Sequence, residues 1–200
     1  IFLTASPTRR CIVSYRNRQE TMQRRVGDAV RKIRSIRPPI VAAVNGASAG
    51  AGCALVLLCD IRVASEKAKF SLPFAKLGLS LDWGSAYTLP RLVGTARAIE
   101  FVSTCRLIDS KSALEMGLVN RVVPHDSLME EVDRLCAEIS KNAPLAVALS
   151  KASIRKGSET GLDLILEDEA YIQAMCQLSE DHQEGVMAFL EKRGPMFKGK

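Results

Sequence analysis

Apolar positions recur along the chain with two different periods, which predict strands in its front part and helices in most of the rest. From about Asn17 to Ile36 these positions have helical spacing, so we expect a helix that the two prolines at 38 and 39 must end. The run IVAAVNG (residues 40–46) then predicts a buried strand, and IRVAS (residues 61–65) predicts a second one.

Small residues lie between these two strands and lead into an apolar segment. GASAGAG (residues 46–52) runs into CALVLLCD (residues 53–60), which is suited to a buried helix. Further on, DWGSAYTLPRLVG (residues 82–94) predicts a loop at Asp82 followed by a short helix, with Pro90 at a helix boundary.

Beyond Thr95 helical patterns dominate. They are TARAIEFVSTC, SKSALEMG, SLMEEVDRLCAEISK, PLAVALSKASIRKG and GLDLILEDEAYIQAMCQL. The sequence therefore predicts a β/α front followed by an all-helical back.

Composition places the chain among globular proteins and excludes several classes of site. Of its 200 residues, 47% are hydrophobic and 25% charged, which is typical of one folded domain. The longest apolar run, Cys53–Cys59, is too short to span a membrane, and no secretory signal is visible. Six cysteines without a CxxC pair suggest reduced thiols and a cytoplasmic location, or an organellar matrix if a targeting segment precedes the chain. With two histidines we expect neither a metal site nor a Ser-His-Asp triad.

The net charge of +6 fits a ligand that carries phosphate groups. Nucleic acid is not the expected partner, because aromatic residues make up only 5% and acidic residues lie among the basic ones.

The GASAGAG segment is the first candidate for chemistry. A backbone with almost no side chains lets a ligand approach closely, and the first N–H groups of the following helix lack intrahelical acceptors and carry its positive dipole end. The spacing fits neither GxGxxG nor GK[ST], so we do not expect a nucleotide-phosphate loop. The alternative is a turn whose small residues only allow tight packing of helix against strand.

A longer stretch around this segment resembles a known family. PPIVAAVNGASAGAGCALVLLCDIRVASEKAKFSLPFAKLGL (residues 38–79) is similar to the central block of the enoyl-CoA hydratase/isomerase family, and the likeness continues through LPRLVGTARAIEF, SALEMGLVNRVVP and EGVMAFLEKRGPMFKGK. The resemblance implies an α/β crotonase (ClpP/crotonase-like) fold. We expect a ββα spiral core over residues 1–125, without part of the family's N-terminal region, and a helical region over residues 126–200 that forms homotrimers or homohexamers.

The resemblance also implies site residues. Relatives hold the thioester oxygen with two backbone N–H groups, one of which maps onto Ala51, between Gly50 and Gly52. The other donor belongs to a loop of the form FxAGADL, and LTASPTRRCIVSYRNRQETM (residues 3–22) stands in its place. Hydratases of this family use two glutamates, for which this chain has Ala54 and Phe74. Water addition is therefore not the expected reaction.

Asp82 is the expected acid/base residue. The stretch GLSLDWGSAYTLPRLVG is similar to that of phenylacetate-pathway enoyl-CoA isomerases, whose single aspartate moves a proton, and less closely to that of 4-chlorobenzoyl-CoA dehalogenases, whose aspartate is a nucleophile. From position alone, the alternative for Asp82 is a helix N-cap. Trp83 is expected to cover the acyl group, so that Phe74, Trp83, Gly50 and Gly52 line the substrate pocket.

In the tail, Phe189 and Lys192 match the residues that relatives place against the adenine and 3′-phosphate of coenzyme A. Taken alone, the segment also fits a frayed basic terminus. No further cofactor is expected, because coenzyme A arrives with the substrate. The resemblance thus implies proton transfer on an enoyl-CoA thioester, and the alternatives are a catalytically silent CoA-binding scaffold and a dehalogenase-like enzyme.

Overall fold

The computed structural model describes the backbone of residues 7–200 and the side chains from Arg18 onward. Its helices are α1 (Pro7–Arg34), α2 (Ala51–Leu58), α3 (Ser85–Val93), α4 (Thr95–Thr104), α5 (Ser110–Glu115), α6 (Leu128–Ser140), α7 (Pro144–Gly157), α8 (Leu162–Gln177) and α9 (Glu180–Leu190). Its strands are β1 (Val41–Val44), β2 (Ala47–Ala49), β3 (Ile61–Ser65), β4 (Lys69–Ser71), β5 (Ile108–Asp109) and β6 (Arg121–Val123), and 3-10 turns cover Pro73–Leu77 and His125–Ser127.

The first helix is longer than the sequence pattern predicts. It begins at Pro7 rather than near Asn17, because proline suits the first turn of a helix, where its missing N–H is not needed. It ends at Arg34, two residues before the predicted end, and three basic residues in its last turn complement the negative end of the helix dipole.

Three parallel strands form the main sheet in the order β1-β3-β6. The predicted strands are confirmed as β1 and β3, which pair from Val41 with Ile61 to Val44 with Ala64. The prediction of an all-helical back is wrong, because β6 pairs with β3 and the short β5 pairs antiparallel with β4. Both strands were missed because each is at most three residues long. From residue 128 onward the elements are helices, as predicted.

Pro90 lies inside α3 and does not mark its boundary, so this prediction is also wrong. The helix continues to Val93 and closes where the Gly94 N–H donates to the Pro90 carbonyl at 2.9 Å. In a helix this short, proline removes one hydrogen bond without ending the element.

The described residues form two compact units. The first consists of the chain up to Ser35, Ala49–Leu58 and Ser71–Arg106, and the second of Ile36–Ser48, Cys59–Phe70 and Leu107–Lys200. The first unit contains the buried side chains of Leu58, Leu72, Leu89 and Phe101. The boundaries of these two units differ from the predicted division near residue 125. That division into a spiral core and a helical region stays a prediction. No helix of the described part is long and apolar enough to cross a membrane.

In the second unit, α6 covers the main sheet, where Val63 packs with Leu128, Val132 and Leu135. Arg62, on β3, is only 4% exposed. Its side chain donates to the carbonyls of Leu118 and Cys59, both at 2.7 Å, and its backbone exchanges hydrogen bonds with Asn120. One buried residue thus connects the strand to the segment that leads into β6.

An ion-pair cluster joins α7 to the start of the sheet. The Asp60 carboxylate accepts from the Ile40 N–H, and the ammonium of Lys151 and the guanidinium of Arg155 lie 2.7 and 2.5 Å from it. Lys151 also donates to the Ile36 and Pro38 carbonyls, at 2.8 and 2.7 Å. Its side chain is only 9% exposed, so the cluster is largely shielded from water.

Candidate functional site

The glycine-rich segment bends sharply before it enters α2. Gly50 has φ +54°, a left-handed conformation that glycine adopts at no steric cost, and its N–H donates to the Ser71 carbonyl at 3.0 Å. Helix α2 then begins at Ala51, and Ala51 and Gly52 are exposed. The turn therefore presents the positive end of α2 to solvent.

The space around this helix start is open. Among the described residues, a Cβ atom added to Gly46, Gly50 or Gly52 would meet no heavy atom within 4 Å. Tight helix-strand packing requires close neighbours at these positions, so that alternative is wrong. The Ala51 N–H, in the first turn, has no intrahelical acceptor, and no other described group accepts from it. Among the described side chains, none blocks the approach of an anionic oxygen to this donor.

The two positions for which the resemblance to hydratases implies glutamate carry apolar side chains in this chain. Ala54 is fully buried in α2, and its N–H donates to the Gly50 carbonyl at 2.9 Å. Phe74 is half-buried in the turn Pro73–Leu77. Burial raises the pKa of the Cys53 thiol to about 12, so it stays protonated at neutral pH and does not act as a base.

Asp82 lies in the turn before α3, and both its carboxylate oxygens are held. Oδ1 accepts from the Trp83 N–H at 2.6 Å, and Oδ2 accepts from Nε2 of Gln23 at 3.2 Å. Helix α3 begins at Ser85, its N-cap is Gly84, and no side chain caps it. The N-cap alternative for Asp82 is therefore wrong.

The backbone next to Asp82 is strained. Trp83 has φ +54° and Gly84 has φ +72°, so two successive residues are left-handed. This conformation is unusual for a bulky residue and costs about 1–3 kcal/mol, which the surrounding contacts must offset. Ser85 supplies two of these contacts, because its N–H and its hydroxyl both donate to the Asp82 carbonyl, at 3.0 and 2.6 Å. Trp83 is half-buried, and its role as a cover for the acyl group stays a prediction.

Phe189 and Lys192 lie in the second unit, whereas residues 50–52, Phe74, Asp82 and Trp83 lie in the first. Phe189, near the end of α9, is 81% exposed. Lys192 follows the helix with φ +55°, and its N–H donates to the Phe189 carbonyl at 3.2 Å. Phe189 also lines a groove of about 470 Å³ among α7, α8 and α9, together with Leu190 and Phe197.

The tail after α9 is held in place, so the alternative of a frayed terminus is wrong. Asp181, which is 2% exposed, accepts from the N–H groups of Lys198 and Gly199, at 2.6 and 2.8 Å. Glu184 accepts from the Met196 N–H at 2.8 Å. The tail thereby folds back along α9.

Sequence reasoning missed one residue near the candidate catalytic carboxylate. Gln23 is a polar residue on the exposed side of α1, and nothing in the sequence connects it to Asp82, 59 positions away. A second pairing is less informative: the Ser65 hydroxyl lies 2.9 Å from Nδ1 of His125, but Ser65 is fully buried and cannot reach a substrate.

Metal ligands and reactive thiols are two further classes of site, considered for the residues whose side chains are described. No group of three or more His, Cys, Asp or Glu side chains is arranged to hold a metal ion. Five cysteines are free thiols, and Cys11 lies outside the described side chains.

Known proteins of one family resemble this chain over most of its length. A family model described as "Enoyl-CoA hydratase/isomerase" matches residues 9–200. The chain is 39% identical over 170 residues to a crotonyl-CoA hydratase of Syntrophomonas wolfei, a match that covers 85% of this chain and 65% of that protein. It is 35% identical over 180 residues to the 1,2-epoxyphenylacetyl-CoA isomerase of Escherichia coli, which covers 90% of this chain and 69% of that protein.

A crystal structure of an enoyl-CoA hydratase from Bacillus anthracis superposes with a TM-score of 0.89 at 34% identity, covering 92% of this chain and 71% of that one. The chain thus spans 65% of the length of the crotonyl-CoA hydratase that it matches.

Proposed function

Because the chain belongs to the enoyl-CoA hydratase/isomerase family, we propose that it binds an acyl-CoA thioester and moves a proton along the acyl chain. The match over residues 9–200 and the similarity to the B. anthracis structure confirm the family and the predicted α/β crotonase fold. One observation supports the reaction: the open turn with the unused Ala51 N–H lies in the same compact unit as the Asp82 carboxylate.

The proposed reaction shifts a carbon–carbon double bond. The Asp82 carboxylate takes a proton from the α-carbon of a 3-enoyl thioester, and the electrons of that C–H bond delocalise over the double bond and the thioester carbonyl. The Ala51 N–H donates to the resulting enolate oxygen, where negative charge has developed. The protonated Asp82 then returns the proton to the γ-carbon, which leaves a 2-enoyl thioester and regenerates the carboxylate.

Isomerisation fits the described residues better than hydration does. Adding water across the double bond requires groups that orient and deprotonate the water, and the two positions where hydratases have glutamates are Ala54 and Phe74. Neither side chain accepts or donates a hydrogen bond. The relatives' names include both a hydratase and an isomerase, so the preference depends on these residues.

The second oxyanion donor is not identified in this chain. The part of the expected loop position before Pro7 lies outside the described residues. From Pro7 onward the chain is helical, so after the first turn its backbone N–H groups are used within α1. The proposal therefore assigns one oxyanion donor, Ala51.

Phe189 and Lys192 are proposed to hold the adenine and 3′-phosphate of coenzyme A, since an exposed ring offers a stacking face and an ammonium suits a phosphate. The proposed homotrimer or homohexamer is supported by large exposed apolar side chains in the C-terminal helices, such as Ile154 at 75% and Leu178 at 84%. A cytoplasmic location stays a prediction.

Replacing Asp82 with asparagine tests the proposal. Asp82→Asn keeps the shape and one acceptor oxygen but loses the basic carboxylate. We expect isomerisation of a 3-enoyl-CoA to fall by about 10²–10⁴-fold, the usual contribution of a general acid/base, and binding of a saturated acyl-CoA to stay within about twofold. Asp133→Asn, the same change at an exposed site on α6, is the matched control.

Three assays separate this proposal from its two alternatives, a CoA-binding scaffold and a dehalogenase-like enzyme. A protein that binds acyl-CoA without exchanging α-protons with deuterated water is a CoA-binding scaffold. Release of chloride from 4-chlorobenzoyl-CoA, lost in Asp82→Asn, identifies a dehalogenase-like enzyme. Isomerisation that is equal in Asp82→Asn and in the unmodified protein contradicts the assignment of Asp82.

A further inference from the structure

One face of α1 lies beside the turn that carries Asp82. Near the middle of the helix, Gln23 donates to Oδ2 of Asp82 at 3.2 Å. Two turns later, Cγ1 of Val30 lies 3.5 Å from where a Cβ atom on Gly84 would stand. The helix therefore contacts Asp82 and passes near Gly84.

The same face continues along α3. The Arg34 guanidinium lies 5.0 Å from the centre of the Tyr87 ring, within the range of a cation–π contact. Gln23, Val30 and Arg34 follow the i, i+7, i+11 spacing of a single helix face. The contact of Gln23 with Asp82 thus lies on the same helix face as the contacts of Val30 and Arg34 with the segment from Gly84 to Tyr87, although Gln23 itself is exposed.

The two donors on Asp82 fix the direction of its carboxylate. The Trp83 N–H holds Oδ1 and the Gln23 amide holds Oδ2. A carboxylate oxygen accepts about two hydrogen bonds, so each oxygen keeps a position for a substrate proton. Both donors are uncharged, so neither forms an ion pair with the carboxylate.

We infer that Gln23 is a positioning residue, which keeps the Asp82 carboxylate aimed for proton transfer. The inference rests on the proposed function, because it assigns Gln23 a role through Asp82. Without this amide, Oδ2 loses its donor and the carboxylate is free to rotate on the single hydrogen bond from Trp83. Proton transfer then loses preorganisation, whereas the binding of the thioester does not depend on Gln23.

The test replaces Gln23 with methionine, which has similar length and no donor. We expect kcat for isomerisation of a 3-enoyl-CoA to fall about tenfold, as for the loss of one hydrogen bond to a charged group, with KM unchanged. Gln177→Met, the same change at an exposed end of α8, is the control and should leave both constants unchanged. Gln23 is exposed, so the variant should fold, and thermal unfolding of both variants checks this.

A double-mutant cycle separates positioning from a structural effect. In the Asp82→Asn background, Gln23→Met should reduce the residual rate by less than twofold, because its effect acts through the missing carboxylate. Two results overturn the inference while the proposed function stands. In the first, Gln23→Met and Gln177→Met have equal kcat values. In the second, Gln23→Met lowers the rate by the same factor in the unmodified protein and in the Asp82→Asn background. If Asp82→Asn itself keeps full activity, the proposed function fails, and the role of Gln23 fails with it.

Discussion

Replacing Ala51 with proline removes the proposed oxyanion donor and changes little else in the fold. Ala51 is the first residue of α2, where the N–H is not used in the helix and where proline is well tolerated. The neighbouring positions are open, since no described heavy atom lies within 4 Å of a Cβ added to Gly50 or Gly52. Gly50 also lacks the Cβ that usually clashes with a following proline ring.

The size of the effect follows from what the donor does. It contacts an oxygen whose charge grows during the reaction, so its loss raises the barrier more than it weakens binding. Loss of one such donor lowers kcat by about 10²–10³-fold, and we expect Ala51→Pro to do the same. Leu162→Pro is the matched control, because Leu162 is the first residue of α8, also follows a glycine and is 69% exposed.

The assay follows exchange of the α-proton of an acyl-CoA with deuterated water by mass spectrometry, together with calorimetric binding of a saturated acyl-CoA. Exchange should almost stop in Ala51→Pro and continue in Leu162→Pro, while binding weakens by less than about tenfold. Incorporating lactic acid at position 51 replaces the N–H with an ester oxygen and adds no ring, which provides a second test. Equal exchange in all these variants would refute the role of Ala51.

Two predictions concern stability. Lys151→Met should lower the free energy of unfolding, measured in urea, by about 2–4 kcal/mol, because it leaves Asp60 in a shielded cluster without one of its cations. The control Lys111→Met, at an exposed site, should change it by less than about 0.5 kcal/mol. Equal urea midpoints for the two variants would contradict the shielding. Asp181→Ala should release the tail, lower the free energy of unfolding by about 2 kcal/mol and speed digestion of the tail by carboxypeptidase. The control Asp133→Ala should have neither effect. Equal digestion of the two variants would show that Asp181 does not hold the tail.

The sequence was sufficient where the information is local. IRVAS is an apolar run of strand-forming residues, and the structure has a strand over these same residues. By contrast, β6 is three residues long and pairs with β3, so that Val63 lies opposite Arg121. Nothing within three residues marks a parallel pairing to a strand so distant in the chain.

Only part of the site was predictable, for a similar reason. Ala51 and Asp82 were found because they stand in recognisable motifs. The left-handed backbone of Trp83 could not be foreseen, because tryptophan rarely adopts it and tertiary contacts must impose it. Gln23 has no motif, and its relation to Asp82 exists only once α1 is folded against the turn.

The hydrogen bonds of Arg62 have a consequence for the order of folding. Until residues 118–123 have been synthesised, β3 is an unprotected edge on which any extended segment can add. Arg62 also bonds to the carbonyl of Leu118 and to Asn120, so the segment that leads into β6 is held beside the same edge. A nascent chain stalled before Leu118 should therefore be prone to aggregate through this strand.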